Sequence, residues 1–93
     1  MARTVNLKSI PYGNAKVIID GGNIKLVSYV TTVAEIQDDW LTIYGLYSMT
    51  TRKHISAFVK EYCGISYQTA KKIYEDGLKY NLATGEVVEI EGA

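Results

Sequence analysis

The spacing of the apolar residues changes once along this chain, at Ser48, and that change limits the folds open to it. Upstream, short β-branched and aromatic runs are separated by clusters of turn residues, the signature of antiparallel strands. Downstream, Ile55, Phe58, Val59 and Tyr62 recur at i, i+3, i+4 and i+7, which puts them on one face of a helix. Strands first and helices second predict an α+β domain: an antiparallel β-meander packed against two short helices of the C-terminal half.

In the strand half, Lys16-Val17-Ile18-Ile19 runs into Asp20-Gly21-Gly22-Asn23, and Ile24 to Val33 reads as the return strand of a hairpin. Gly21 and Gly22 supply the positive φ that a tight turn demands. Gln37-Asp38-Asp39 makes the second break, and Trp40 to Tyr44 resumes the strand pattern, for a meander of three strands. Gly45 interrupts this third strand and suggests a bulge or a close backbone approach. Val5 to Ile10 offers an earlier strand before Pro11-Tyr12-Gly13-Asn14 turns the chain.

In the helical half, Thr50 or Thr51 is the expected cap of the first helix and Gly64 its left-handed stop. A second helix is expected from Tyr67 to Asp76, capped by Ser66, with Ala70, Ile73 and Tyr74 inward and Gly77 ending it. Leu78 to Leu82, Ala83-Thr84-Gly85 and Glu86 to Ile90 then suggest a closing hairpin or a terminal strand. The core expected from these patterns is Val17, Ile19, Leu26, Tyr29, Val33, Ile36, Leu41, Ile43, Leu46, Ile55, Phe58, Val59, Ala70, Ile73 and Val87.

Ninety-three residues accommodate one such core, so a single domain over residues 1–93 is expected. The apolar runs are far shorter than the roughly 20 residues of a membrane-spanning helix, and the N-terminus lacks the apolar stretch of a secretory signal. A cytoplasmic protein with no membrane partner is the expectation. The single Cys63 cannot form an internal disulfide, which fits a reducing compartment. Ten basic and ten acidic side chains cancel, against both a protein built on sequence-independent attraction to phosphate and a polyanionic DNA mimic. Eight tyrosines against one Phe and one Trp suit a recognition surface, although half-buried strand positions would also absorb them.

Candidate chemistry is sparse. His54 and Cys63 are nine residues apart, which along a helix separates them by about 13 Å and turns them to different sides. No metal site and no cofactor are assigned, and Cys63 reads as a small buried hydrophobe. For His54, a nucleophile would have to come from Ser48, Thr50 or Thr51 and an orienting acid from Asp38 or Asp39. Residue types alone do not make a triad, so no catalytic residue is assigned and no enzyme is expected. Instead His54 is expected to hydrogen-bond a strand carbonyl where helix meets sheet.

Thr50, Thr51 and His54, beside Arg52 and Lys53, form a helix N-terminus that can cap itself or hold an anion. No glycine-rich phosphate loop accompanies it. From Ser48 to Tyr80 basic residues outnumber acidic ones, and Lys71-Lys72 beside Tyr67 and Tyr74 could follow a nucleic-acid backbone or simply be solvated. Arg52, Lys53, Lys71, Lys72, Tyr67 and Tyr74 are the candidate binding residues. No base-reading helix pair is evident.

Ser28-Tyr29-Val30-Thr31-Thr32-Val33-Ala34 and the string Tyr-Ser-x-Thr-Thr-x-x-His-Ile-x-x-Phe from Tyr47 to Phe58 resemble a family of small proteins carried by phages and plasmids of Gram-positive bacteria. The resemblance covers about Leu26 to Tyr62 and brings no catalytic residue with it. It implies a mobile-element accessory protein, a class that includes inhibitors of bacterial defence such as anti-CRISPR proteins. The expected function is therefore inhibition of a host defence protein, a CRISPR–Cas effector for instance, by binding its surface. A small nucleic-acid-binding regulator using the basic helical half is the alternative, and an uncovered edge strand leaves a homodimer open.

Overall fold

The computed structural model describes residues 2–8, 14–46 and 48–90. Seven strands follow one another in a single antiparallel sheet: β1 (Arg3–Val5), β2 (Ala15–Asp20), β3 (Asn23–Ser28), β4 (Thr31–Gln37), β5 (Trp40–Ile43), β6 (Leu78–Asn81) and β7 (Val87–Glu89). Two helices, α1 (Met49–Phe58) and α2 (Tyr67–Glu75), are inserted between β5 and β6. Both pack on one face of the sheet, α1 on β3 and β4, α2 on β5 and β6. The α+β meander with two helices and a closing hairpin is the observed architecture.

Strand alternation decides which face they cover. Val17 pairs with Leu26, Leu26 with Ala34, and Ile36 with Leu41, and all of these point inward. Ile55, Phe58 and Val59 close the core from above, together with Ala70 and Ile73. Each large side chain so buried contributes about 1.5–3 kcal/mol before the cost of ordering it. The register shifts between Leu26 and Val27, and this bulge lets both Val33 and Ala34 be buried although they are neighbours.

Several expectations need correcting. Ile24 to Val33 is two strands, because the chain turns at Tyr29-Val30, with Tyr29 at φ 59°. No Gly, Pro, Asn or Asp marks that turn. It is held because the Tyr29 N–H donates to the Asn14 carbonyl (2.7 Å), extending the β2–β3 ladder by one pair. Tyr29 is consequently 55% exposed instead of in the core. The sheet's bulge falls on the β3–β4 pair and not at Gly45, which is buried in the connection after β5. Of the glycine pair, only Gly21 has positive φ (61°). By contrast, Asp38 (51°) and Asp39 (69°) are both left-handed, as a two-residue hairpin turn of this hand requires.

At the N-terminus the strand is Arg3–Val5, so of the span expected from Val5 to Ile10 only Val5 is strand among the described residues, and the end of that span, Ser9 and Ile10, lies outside them. Leu7 leaves the ladder and plugs the core, and the next N–H, that of Lys8, donates to Glu61 Oε1 (2.7 Å). The turn expected over Pro11-Tyr12-Gly13 lies outside the described residues, as does Tyr47. Val87, expected in the core, is 49% exposed on the last strand, and Ile19 and Leu46 are only partly buried. Leu7, Ala15 and Ala34 take up core positions in addition. Of the six described tyrosines only Tyr80 lies within a strand; the others sit on helices, at strand ends or in a turn.

Past Phe58 the helix widens into one π turn, Val59–Cys63, whose end is Gly64 at φ 68°. Gly64 therefore stops the helix as expected, through the left-handed conformation that costs glycine nothing. The extra residue in the turn keeps Val59 buried while Tyr62 stacks at 5.1 Å from Phe58. No helix among the described residues is long and apolar enough to cross a membrane.

Candidate functional site

Helix α1 begins where Ser48, in extended conformation, accepts a hydrogen bond from the Thr51 N–H on its Oγ (3.1 Å). Ser48 is thus the cap, not Thr50 or Thr51. Thr50 is exposed and Thr51 is buried. One of the amides that an anion at this N-terminus would use, that of Thr51, is already donated to Ser48.

From this start, positions i, i+3, i+4 and i+7 on the buried side are Thr51, His54, Ile55 and Phe58. Two of the four are polar, and they meet a third polar residue from the sheet. Ser28, the last inward residue of β3, places its Oγ 2.9 Å from His54 Nδ1 and 3.3 Å from Thr51 Oγ1. Ser48 Oγ donates to Thr51 Oγ1 (3.2 Å), so four side chains form one chain of hydrogen bonds. His54 is bound by a strand hydroxyl and not by the strand carbonyl expected. Burial lowers the His54 pKa from its ordinary 6.5, since a charged ring at this junction would give up hydration.

A serine 2.9 Å from an imidazole has the geometry of a nucleophile with its base. Its surroundings do not. Ser28 is 3% and His54 4% exposed, so the pair lies in the junction between helix and sheet and not in an open cleft. Asp38 and Asp39 sit in the β4–β5 turn, the length of β4 away, or about 20 Å at the rise of an extended strand. The constellation holds helix to sheet.

The opposite side of α1 carries the same spacing. Met49, Arg52, Lys53 and Ser56 recur at i, i+3, i+4 and i+7 and, with Tyr67 and Lys71 of α2, line a groove of about 310 Å³ between the helices. Met49 is 76% exposed at its mouth. Neither helix has an acidic residue in its first turn, and both first turns border the groove. Three cations and the positive ends of two helices therefore add in one place, with no carboxylate among the described residues that line it.

Of the six candidate binding residues, the fold gathers Arg52, Lys53, Tyr67 and Lys71 here. Lys72 does not join them; it points to the other side of α2 and forms an exposed ion pair with Asp76 (3.8 Å). Tyr74 lies a turn further along α2, exposed, and does not line the groove. Met49 and Ser56 were not singled out in the sequence, although their helical spacing from Arg52 and Lys53 would have found them. Ser28 could have been found by alternation with Ile24 and Leu26.

Elsewhere a few side chains have local partners. On the uncovered face of the sheet, Tyr44 donates to Glu35 (2.6 Å), and this bond first, then burial and the Glu35 charge, push its pKa to about 12. Lys79 lies over the Trp40 ring at 5.1 Å. Cys63 is partly buried and its thiol is pushed up to about 12, so it is not a ready nucleophile.

No curated protein and no solved structure matches this chain. The model of a family of unknown function, DUF8033, matches residues 2–76, and because that span runs from β1 through the end of α2 and takes in both sides of α1, the chain belongs to this family.

Proposed function

We propose that this protein works by binding another macromolecule through the α1–α2 groove, as a phage-type accessory protein that inhibits a bacterial defence effector in the host cytoplasm. The observation that carries this reading is the gathering of Arg52, Lys53 and Lys71 around one groove with no neutralising acid among the described residues that line it. Such a site favours a partner that presents carboxylates. Met49 and Tyr67 give it an apolar and aromatic lining, which suits a protein surface with a projecting side chain or helix. The link to host defence, with a CRISPR–Cas effector as the specific candidate, rests on the resemblance to phage and plasmid accessory proteins.

Affinity capture from a bacterial host that carries CRISPR–Cas or another defence system tests it. The unaltered chain is expected to retain a defence effector, and the double variant Arg52→Glu, Lys71→Glu to lose it. Recovery of chaperones alone, or retention undiminished by charge reversal, would sink the proposal.

A nucleic-acid partner is the second reading, favoured by the same three cations beside Tyr67, on which a base could stack. It makes a different demand on salt. Three phosphate contacts to a single strand imply a slope of about −2 in log affinity against log salt. Oligonucleotide binding that is flat between low and moderate salt rules this mode out.

A further inference from the structure

The closing hairpin carries an edge and a groove that the site above does not use. β7 ends the strand order, so among the described residues one of its sides has no strand beside it. The register decides which backbone groups face that side. Asn81 N–H donates to the Glu86 carbonyl (2.8 Å) and Ile90 N–H to the Gly77 carbonyl (3.1 Å), with Leu78↔Glu89, Lys79↔Val88 and Tyr80↔Val87 paired between them. Bonded and non-bonded pairs alternate in an antiparallel ladder. Val88 therefore bonds inward to β6, whereas Val87 and Glu89 each turn an N–H and a C=O outward.

Under this edge the sheet is open. α2 packs chiefly on β5 and β6, and Val87 on the inner side of β7 stays 49% exposed. Ile73, Leu78, Tyr80 and Val87 line a cavity of about 260 Å³ there, with Lys72 and Asp76 beside it. By strand alternation Glu89 shares the inner side with Val87, and Lys72 is already paired with Asp76.

We infer that β7 and α2 form a docking groove for an extended segment of a partner protein, which adds as an antiparallel eighth strand. It places an aliphatic side chain opposite Val87 and a Lys or Arg opposite Glu89. The outward N–H and C=O groups require a strand, since only an extended chain offers donors and acceptors at that repeat. The lining of the cavity selects the aliphatic residue, and the Glu89 carboxylate selects the cation two positions away on the same face. A second copy fits poorly. Antiparallel pairing of β7 with itself about Val88 would put Glu89 opposite Val87, a carboxylate over the apolar groove, and bring two acidic hairpins together.

The test is an NMR titration of the full chain with a blocked nine-residue Thr peptide bearing Lys at its fourth and Ile at its sixth position. Saturable shifts are expected at the amides of β7, Ile73 and Leu78, with slowed amide exchange at Val87 and Glu89. N-methylation of the peptide at Lys and Ile removes the donors that face β7 and should weaken binding about tenfold or more. Asp in place of the peptide Ile should abolish it. On the protein, Glu89→Pro deletes an outward donor without touching the bonds to β6 and should cause the same loss as N-methylation. Glu89→Gln keeps that donor and should cost no more than about fivefold, at low salt only. Should Glu89→Pro fail to fold, the N-methyl peptide on the unaltered chain decides. Equal binding of the methylated peptide, shifts centred on Arg52 and Lys71, or no shift at millimolar peptide overturns the inference. So does a concentration-dependent dimer that protects the Val87 and Glu89 amides.

Discussion

The two sides of α1 share one spacing and meet opposite surroundings. Thr51, His54, Ile55 and Phe58 turn inward; Met49, Arg52, Lys53 and Ser56 turn to a groove at the surface. The inward side contains the residue types usually associated with chemistry, yet Ser28, Thr51 and His54 are buried and hydrogen-bonded to one another. The outward side contains no motif, yet its charges are free to meet a partner. Reactive residue types indicate a site only when the fold also gives them access, and here access and reactivity fall on opposite sides of the same helix.

The sharpest way to break this contrast is to truncate one residue from each side. Phe58→Ala should cost about 3–5 kcal/mol, by lost burial and the cavity left behind, whereas Arg52→Ala should stay within about 0.5 kcal/mol. Urea unfolding midpoints measure both, and comparable losses would erase the distinction between a structural side and the proposed binding side.

The next effect belongs to the polar junction. His54→Ala leaves Ser28 with only its weaker contact to Thr51 and should cost about 1–3 kcal/mol. Its pH dependence has a definite sign. The folded pKa of His54 lies below 6.5, so the unfolded chain takes up this proton at a higher pH than the folded one. The stability tied to the neutral ring is fully present above 6.5 and is lost as the pH falls from there toward the folded value. Thermal midpoints followed from about pH 8 to about pH 5 should drop on the acid side, and His54→Asn should flatten that drop. A slope unchanged in the variant would assign the acid loss to other groups.

The smallest effect separates the cap from its neighbours. Ser48→Ala should cost about 1 kcal/mol, because the Thr51 N–H loses its acceptor, while Thr50→Ala should change stability by no more than about 0.5 kcal/mol. Equal losses would mean that the first turn of α1 is held in some other way.

Much of this architecture is legible in the residue pattern, and the parts that are not have identifiable reasons. The hairpin turns at Asp20 to Asn23 and at Asp38-Asp39 carry the residues that tolerate left-handed backbone, so they can be read directly. The turn at Tyr29-Val30 carries none, and only the ladder from Asn14 to Tyr29 makes it hold. The inward stripe of α1 begins with Thr51 and His54, which an apolar period passes over; the expected stripe therefore starts a turn late, at Ile55. The string Ser-x-x-Thr-x-x-His-Ile-x-x-Phe now has a structural meaning as a cap followed by a buried face. That meaning depends on Ser28, which is 26 residues from His54 in the chain.

The candidate site divides in the same way. That the helical half is basic and poor in acids is a property of composition. That Arg52, Lys53 and Lys71 meet while Lys72 turns away is a property of how α2 lies beside α1. Local pattern alone determined that this chain makes strands, then helices, then a hairpin, because turn chemistry and apolar spacing act over a few residues. Which polar groups are sealed, which charges converge and which edge is left open were decided by tertiary packing, because each depends on elements distant in sequence being brought to one side of the sheet.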